Sequence, residues 1–230
     1  MTVLRSVLFL VWFLAITTVL SLIFLPVLAG PRGATVWLAR LWARWTFWGL
    51  KVFAGIGWEI RGTVPKGPVL VAAKHMSMWD TLALYLALDE PAIVLKRELL
   101  RIPFYGWFLA KAAAIPIDRG AGASALRKMA EAARQVLARG RPILIFPEGT
   151  RKKPGTPPDY KPGVAGLYGQ LDVDCVPVAL NSGVYWTGFL KKPGTIVLEF
   201  LEPIAPGLKR DAFMTLLENR IETATNRLLP

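Results

Sequence analysis

Histidine and cysteine are almost absent from this chain, whose 230 residues include one histidine, His75, and one cysteine, Cys175. One residue of each kind cannot make a typical structural zinc site, and a single cysteine cannot form an intramolecular disulfide. Cys175 lies within an apolar, strand-like run, whereas a nucleophilic thiol needs a base and an electropositive setting. The sequence therefore predicts no metal centre and no covalent catalysis by a thiol, and it agrees with a reducing compartment.

Acidic residues are also scarce, because 16 Asp and Glu stand against 28 Lys and Arg, for a net charge of +12. Such a balance suits anionic lipid, a phosphorylated substrate or nucleic acid. The chain has no zinc-ligand spacing, no recognition motif and no basic low-complexity tail, so we predict no nucleic-acid partner. Salt-sensitive binding to duplex DNA would argue for one.

Residues 7–29 contain no charged side chain, and this run is long enough to cross the hydrocarbon layer of a bilayer. Residues 27–30 resemble a signal-peptide cleavage site, but the run exceeds a typical signal core and only Arg5 precedes it. We predict a retained membrane segment that either spans the bilayer or dips into one leaflet. More basic residues follow the segment than precede it: Arg32, Arg40 and Arg44. By the positive-inside rule, the rest of the chain lies at the cytoplasmic face of the inner membrane.

A second segment, residues 35–56, combines tryptophan with basic residues. On an ideal helix its cations form a narrow stripe beside an apolar face that carries Trp37, Trp45 and Trp48. This pattern suits the headgroup layer, although a helix packed on the protein core with a solvated basic stripe is the alternative. We predict a membrane anchor over residues 1–61 and a catalytic domain over residues 62–230.

From about residue 62, short apolar runs alternate with helical patterns. The predicted strands are 68–73, 92–95, 114–117, 142–146, 175–180 and 195–200, and the predicted helices are 80–88, 98–113, 122–138 and 210–229. The strands lack polar alternation, which is typical of a sheet buried on both faces. The predicted fold is α/β, with a mixed, mostly buried sheet flanked by helices and an N-terminal membrane-anchoring helical segment.

His75 follows a predicted strand, and Asp80 lies near the start of the next helix. Histidine can take and return a proton near neutral pH, and a neighbouring carboxylate can orient its ring. Residues five apart on one helix diverge by about 140°, so the two side chains meet only if the residues between them turn. Ser77 is a suitable N-cap for the helix that would follow such a turn. The alternative is an ordinary polar histidine at the end of a strand.

Two further strand ends carry polar side chains. In residues 146–151, Gly149 permits an unusual backbone conformation, Thr150 offers a hydroxyl, and Arg151 offers a planar fork suited to phosphate. A surface turn with routine charges is the alternative. Asp118 and Arg119 follow another strand, and taken alone they are typical of a structural ion pair.

Taken in order, these strings resemble the 1-acyl-sn-glycerol-3-phosphate (lysophosphatidic acid) acyltransferase family of glycerolipid acyltransferases. The resemblance covers about residues 68–204 in four blocks: the His-x4-Asp string at His75 and Asp80, residues 95–107 leading to 115–119, residues 146–151, and residues 176–180. The chain departs from the family's pattern at Lys74, where asparagine is frequent, at Met76, where a polar residue is frequent, and at Pro116. These departures leave the identity of the acceptor open.

The resemblance implies a membrane-bound enzyme that moves a fatty acyl group from acyl-CoA or acyl-carrier protein to the sn-2 hydroxyl of lysophosphatidic acid, giving phosphatidic acid. It implies that His75 deprotonates this hydroxyl, that Asp80 orients His75, and that no cofactor beyond the acyl donor is needed. It assigns the acceptor's phosphate to Arg119, Glu148, Gly149, Thr150 and Arg151. The alternatives are another acceptor (lyso-ornithine lipid, another lysophospholipid or glycerol 3-phosphate) and a non-catalytic membrane-surface protein.

Overall fold

The computed structural model describes residues 1–102, 105–118 and 122–230 of the chain. The strands, in chain order, are β1 (Ile56–Arg61), β2 (Leu70–Ala73), β3 (Ala92–Lys96), β4 (Ile115–Ile117), β5 (Ile143–Ile145), β6 (Cys175–Leu180), β7 (Trp186–Thr187), β8 (Leu190–Lys191) and β9 (Gly194–Phe200). The α-helices are α1 (Thr2–Ile23), α2 (Arg32–Gly49), α3 (Met78–Ala87), α4 (Tyr105–Lys111), α5 (Gly122–Leu137), α6 (Gly163–Tyr168), α7 (Ser182–Tyr185) and α8 (Arg210–Leu228). Leu25–Ala29 and Arg97–Arg101 form 3-10 helices, and Leu50–Ala54 forms a π-helical turn.

Seven strands form one mixed sheet in the order β1-β9-β6-β2-β5-β3-β4. All neighbouring strands are parallel except β6 and β9, which run antiparallel. The short strands β7 and β8 form a separate hairpin. The predicted α/β class with a mixed sheet flanked by helices is confirmed.

The sheet is covered on both faces, as alternate residues of its central strand β2 show. Val71 and Ala73 belong to a core shared with α1, α2 and α3. Leu70 and Ala72 point the other way, into a core shared with α5, α6 and α8. Burial on both faces explains why the strand sequences show no polar alternation.

All six predicted strands are present with ends within two residues of the expected ones. Strand β1 and the β7–β8 hairpin were not predicted. Strand β1 lies at the edge of the sheet, and its outer residues, from Trp58 to Arg61, are exposed. Residues 56–61 of the predicted anchor therefore add an edge strand to the central sheet, while the division into two domains stays a prediction.

Two predicted helices have wrong bounds, for reasons of backbone geometry. The helix expected over 98–113 is divided into the 3-10 helix Arg97–Arg101 and α4, and Gly106 of α4 approaches the backbone so closely that a Cβ there would lie 2.2 Å from the Leu100 carbonyl oxygen. The helix expected over 35–56 begins earlier, at Arg32, and its last turn ends at Gly55, whose φ of +70° is left-handed.

Helix α1 begins five residues before the predicted apolar segment and ends at Ile23, ahead of Pro26, which cannot continue a helix. Among the described residues it is the one helix that is long and apolar enough to cross a bilayer. One side of α1 is held to the rest of the protein. The Trp12 indole donates to the Trp45 carbonyl at 3.0 Å, and the Ser6 hydroxyl accepts the Lys191 amide at 2.9 Å. The opposite side presents exposed apolar side chains, among them Val3, Leu4, Val11, Leu14 and Leu22.

The sequence left open whether helix α2 packs on the protein core or presents its tryptophans outward, and the structure shows that one side does each. Its inner side, including Ala43 and Phe47, is buried in the core. Its outer side exposes about half of each of three indoles: Trp37, Trp45 and Trp48. The basic residues Arg44 and Lys51 are exposed as well.

Candidate active site

The candidate site lies at the centre of the sheet, where three parallel neighbours end side by side. His75 follows β2, residues 146–152 follow β5, and Ser182 follows β6. The carboxyl ends of parallel strands share one edge of a sheet, and ligands of open α/β sheets bind at that edge. The topology therefore brings together segments that are far apart in the sequence.

His75 and Asp80 are in direct contact, because the residues between them turn instead of continuing a helix. The His75 Nδ1 lies 3.0 Å from Asp80 Oδ2. Ser77 is the N-cap of α3, as expected, since its hydroxyl accepts the Trp79 amide at 3.1 Å. Asp80 completes the capping box by accepting the Ser77 amide at 2.8 Å. The capping box thus also places the carboxylate beside the imidazole.

The Asp80 carboxylate is fully buried and saturated with donors. Oδ2 also accepts the Met76 amide at 2.6 Å, and the hydroxyls of Ser77 and Ser182 both lie at Oδ1. Because an ionised carboxylate can only accept, Nδ1 of His75 carries the proton in this arrangement. The lone pair of the neutral ring is then at Nε2, which is the arrangement that a general base needs.

The segment that follows β5 encloses His75. The Phe146 ring stacks on the imidazole, with centroids 3.9 Å apart, and the Lys152 amide donates to the His75 carbonyl at 2.8 Å. In the same segment, Glu148 Oε2 accepts the His75 amide at 2.9 Å. The His75 side chain is 12% exposed, so its ring is held firmly yet can be reached from outside.

Glu148, which the resemblance assigns to the acceptor's phosphate, faces into the protein. Its side chain is fully buried, with one oxygen 2.8 Å from the Lys74 ammonium and the other on the His75 amide. Burial raises the pKa of the Glu148 carboxyl, and the ion pair with Lys74 opposes this rise. The contact between Glu148 and the acceptor's phosphate stays a prediction, and the carboxylate faces inward in this structure, toward Lys74 and the His75 amide.

The other residues of the turn face outward. Gly149 has a φ of +65°, which reverses the chain there. Thr150 and Arg151 are exposed after this reversal and lie next to the segment that binds the His75 backbone. Arg119, the remaining residue expected to contact phosphate, lies outside the described residues, so its placement stays a prediction.

A largely apolar cavity of about 700 Å³ lies between the N-terminal helices and the sheet. Its wall includes Thr17, Leu20 and Leu22 of α1, Leu38 and Trp42 of α2, Met78, Leu82 and Tyr85 of α3, and Phe108 and Leu109 of α4. Arg151 also contributes to the wall. Since Met78 and Arg151 lie in the two segments that flank His75, the cavity adjoins the candidate site. Sequence patterns could not find this cavity, because helices from both predicted domains form it.

Ser182 and Glu222 were not predicted as site residues. Ser182 could have been suspected as a polar residue at the end of a buried strand. Glu222 carries no such signal, because a carboxylate in an amphipathic terminal helix normally faces water. Cys175, in contrast, is a buried core residue, as expected, and burial raises the pKa of its thiol.

Comparison with known proteins identifies the family. A protein-family model described as Acyltransferase matches residues 57–181. The chain is 38% identical over 181 residues to a 1-acyl-sn-glycerol-3-phosphate acyltransferase of Pseudomonas aeruginosa, covering 77% of this chain and 70% of that protein. It is 39% identical over 111 residues to a lyso-ornithine lipid O-acyltransferase of the same organism, covering 46% of this chain and 40% of that protein.

The fold has a solved counterpart. The crystal structure of the 1-acyl-sn-glycerophosphate acyltransferase PlsC from Thermotoga maritima superimposes with a TM-score of 0.79 at 22% identity, covering 99% of this chain and 98% of the other. A sheep 1-acyl-sn-glycerol-3-phosphate acyltransferase alpha is 32% identical over 204 residues, covering 83% of this chain and 70% of that protein. The chain therefore belongs to the 1-acyl-sn-glycerol-3-phosphate acyltransferase family.

Proposed function

We propose that this acyltransferase moves a fatty acyl group from acyl-CoA or acyl-carrier protein to the sn-2 hydroxyl of 1-acyl-sn-glycerol 3-phosphate, giving phosphatidic acid. The observation that carries the proposal is the His75–Asp80 pair, in which Nδ1 lies 3.0 Å from the buried carboxylate. This arrangement supports proton abstraction by His75 Nε2. A role as a non-catalytic membrane-surface protein would leave the buried pair without a purpose.

In the proposed reaction, Nε2 takes the proton of the acceptor hydroxyl while the hydroxyl oxygen attacks the thioester carbonyl. The carbon–sulfur bond of the resulting tetrahedral adduct then breaks, and the thiolate leaves with the proton that His75 returns. A thiolate departs readily, so one base suffices and no acyl-enzyme forms. General-base assistance of this kind typically contributes about 10²–10⁴ in rate.

The cavity supplies a place for an acyl chain. Its volume of about 700 Å³ is typical of small-molecule sites, and its wall is mainly apolar. A fatty chain in this cavity would extend from the His75 side toward the N-terminal helices. The exposed side of α1 and the outer indoles of α2 support contact with a bilayer, from which a lipid acceptor can reach the cavity without crossing water. The basic residues that follow α1 support a catalytic domain at the cytoplasmic face.

The test of the proposed function is a thiol-release assay on the detergent-purified protein. Acyl-CoA and acyl-carrier protein, each with a series of chain lengths, are offered with lysophosphatidic acid, glycerol 3-phosphate and lyso-ornithine lipid. We expect turnover with lysophosphatidic acid to exceed turnover with the other acceptors. The identity to a lyso-ornithine lipid O-acyltransferase makes that lipid the second candidate acceptor, and a preference for it would replace the proposed acceptor.

Arg151 is expected to recognise the phosphate of the acceptor, together with Thr150 and Arg119. An exposed guanidinium in the cavity wall can form charge-assisted hydrogen bonds to a phosphate, each contributing about 1.5–3 kcal/mol. We therefore expect Arg151→Ala to raise the KM for lysophosphatidic acid by about tenfold to a hundredfold.

The matched control for this prediction is Lys153→Ala, which removes another exposed cation of the same loop. Initial rates with varied acceptor should show little change for this variant. An Arg151→Ala protein with the KM of the wild type, or with an equal loss toward the phosphate-free lyso-ornithine lipid, would refute the assignment.

A further inference from the structure

Lys74 is a buried lysine whose ammonium is fully bound inside the protein. Its Nζ donates to both carboxylate oxygens of Glu222, at 2.7 and 3.0 Å, and lies 2.8 Å from Glu148 Oε1. Only 3% of the side chain is exposed. The hydrogen bonds of the ammonium run to Glu222, and its contact with Glu148 is an ion pair, so Nζ lies between the two carboxylates.

The cluster around Lys74 has a defined charge. One cation faces two carboxylates, and the Tyr160 hydroxyl donates to Glu222 Oε1 at 2.8 Å. Glu222 belongs to α8, beyond the residues that the family model matches. An asparagine, the residue that the family often has at position 74, would be too short to bridge these carboxylates. The cluster therefore depends on the long, cationic side chain of Lys74.

The cluster ends at the backbone of His75. One carboxylate oxygen of Glu148 contacts the Lys74 ammonium, and the other accepts the His75 amide. Lys74 itself is fixed at its backbone, because its amide donates to the Val178 carbonyl at 2.9 Å at the end of β2. A chain of direct contacts thus runs from α8 through Lys74 and Glu148 to the residue that carries the imidazole.

We propose that Lys74 is a positioning residue of acyl transfer: its ammonium, aimed by Glu222, holds the Glu148 carboxylate against the His75 amide and so fixes the imidazole between Asp80 and the acceptor. The inference rests on the proposed role of His75 as the base. A misplacement of about 1 Å at a reacting group can reduce the rate by about a hundredfold. The contact that holds the His75 backbone in place is therefore expected to affect turnover. The competing explanation is that the Lys74–Glu222 pair only joins α8 to the sheet.

The double variant Lys74→Met/Glu148→Gln separates these explanations. It keeps the net charge of the cluster at one negative charge, on the partly exposed Glu222, and the new glutamine keeps an oxygen that can accept the His75 amide. It leaves no fully buried carboxylate without its cation, so the protein should fold. We expect kcat to fall by about tenfold to a hundredfold, with the KM values of acceptor and donor within about twofold of wild type.

The second readout does not depend on turnover. Because His75 is the only histidine in the sequence, ¹⁵N-histidine labelling gives one pair of ring nitrogen signals. In the wild-type protein we expect the Nδ1–H form, and in the double variant we expect a mixture with the Nε2–H form. The control is Leu217→Val, which removes a buried methylene of α8 and leaves the polar groups of the cluster in place, so it should change stability but neither kcat nor the tautomer.

Each outcome decides the inference. Lower kcat together with a mixed tautomer supports it. A double variant with the kcat and the tautomer of the wild type overturns it, as does a loss of kcat without a change in tautomer or a loss matched by Leu217→Val. A mixed tautomer with full turnover overturns it as well, and it would also argue against His75 as the base.

Discussion

Replacing His75 with alanine is expected to lower kcat by about 10²–10⁴-fold, which is the usual contribution of a general base. The His75 ring contacts a buried carboxylate, and Met78 and Arg151, in the two segments that flank it, contribute to the cavity wall. The substitution removes the imidazole and its stacking on Phe146, which is a contact worth about 0.5–1.5 kcal/mol. The variant should therefore fold and bind liposomes as the wild type does.

The measurement is thiol release at saturating acyl donor and acceptor, with circular dichroism melting and liposome flotation on the same preparation. The two structural readouts are the internal control, because they separate lost chemistry from lost folding. A variant that keeps more than a tenth of the wild-type kcat would remove His75 from the mechanism.

Replacing Asp80 with asparagine is expected to have an effect of similar size on kcat, with an added loss of stability. The carboxylate accepts hydrogen bonds on both oxygens, and an amide presents an NH₂ group on one side. At the Oδ2 position the NH₂ group would face only donors, His75 Nδ1 and two backbone amides, whereas at the Oδ1 position it can donate to the hydroxyls of Ser77 and Ser182. The amide therefore takes the second orientation, which keeps the Nδ1–H tautomer but removes the negative charge that stabilises the imidazolium formed during proton abstraction.

The loss of stability should be about 1–3 kcal/mol for each buried donor left without an acceptor. Urea unfolding measures the loss of stability, and steady-state rates measure the loss of kcat. Ser182→Ala is the matched control, since it removes one donor at Oδ1 and leaves Oδ2 intact. We expect this control to cost about 1 kcal/mol of stability and less than tenfold in kcat. An Asp80→Asn protein no more impaired than this control would show that the charge of the Asp80 carboxylate does not assist His75.

Local sequence signals were enough to predict the elements on which the site is built. The apolar runs before His75 and Phe146 predict buried strands, and Ser77 predicts the helix start that brings Asp80 to the imidazole. These signals work because each depends on residues within one turn or one strand. The expected residues Thr150 and Arg151 are exposed beside the site, as a phosphate contact would need, although their role stays a prediction.

The remaining features depend on contacts between distant parts of the chain. Glu222 lies 148 residues from Lys74, and no local pattern distinguishes it from the solvent-facing acids of an amphipathic helix. The direction of Glu148 was equally hidden, because a sequence gives the charge of a side chain and not the side of the turn that it faces. Strand β1 was missed because its pairing with β9 depends on residues 194–199, far along the chain.

The packing of α1 has a practical consequence for making a water-soluble form of this enzyme. The helix whose outer side suits a bilayer also supplies Thr17, Leu20 and Leu22 to the wall of the cavity. Deleting α1 would therefore open the cavity to water as well as remove the proposed contact with lipid. Solubility is better sought by replacing the outward side chains, such as Val3, Leu4, Val11 and Leu14, with polar residues while the inward side is kept.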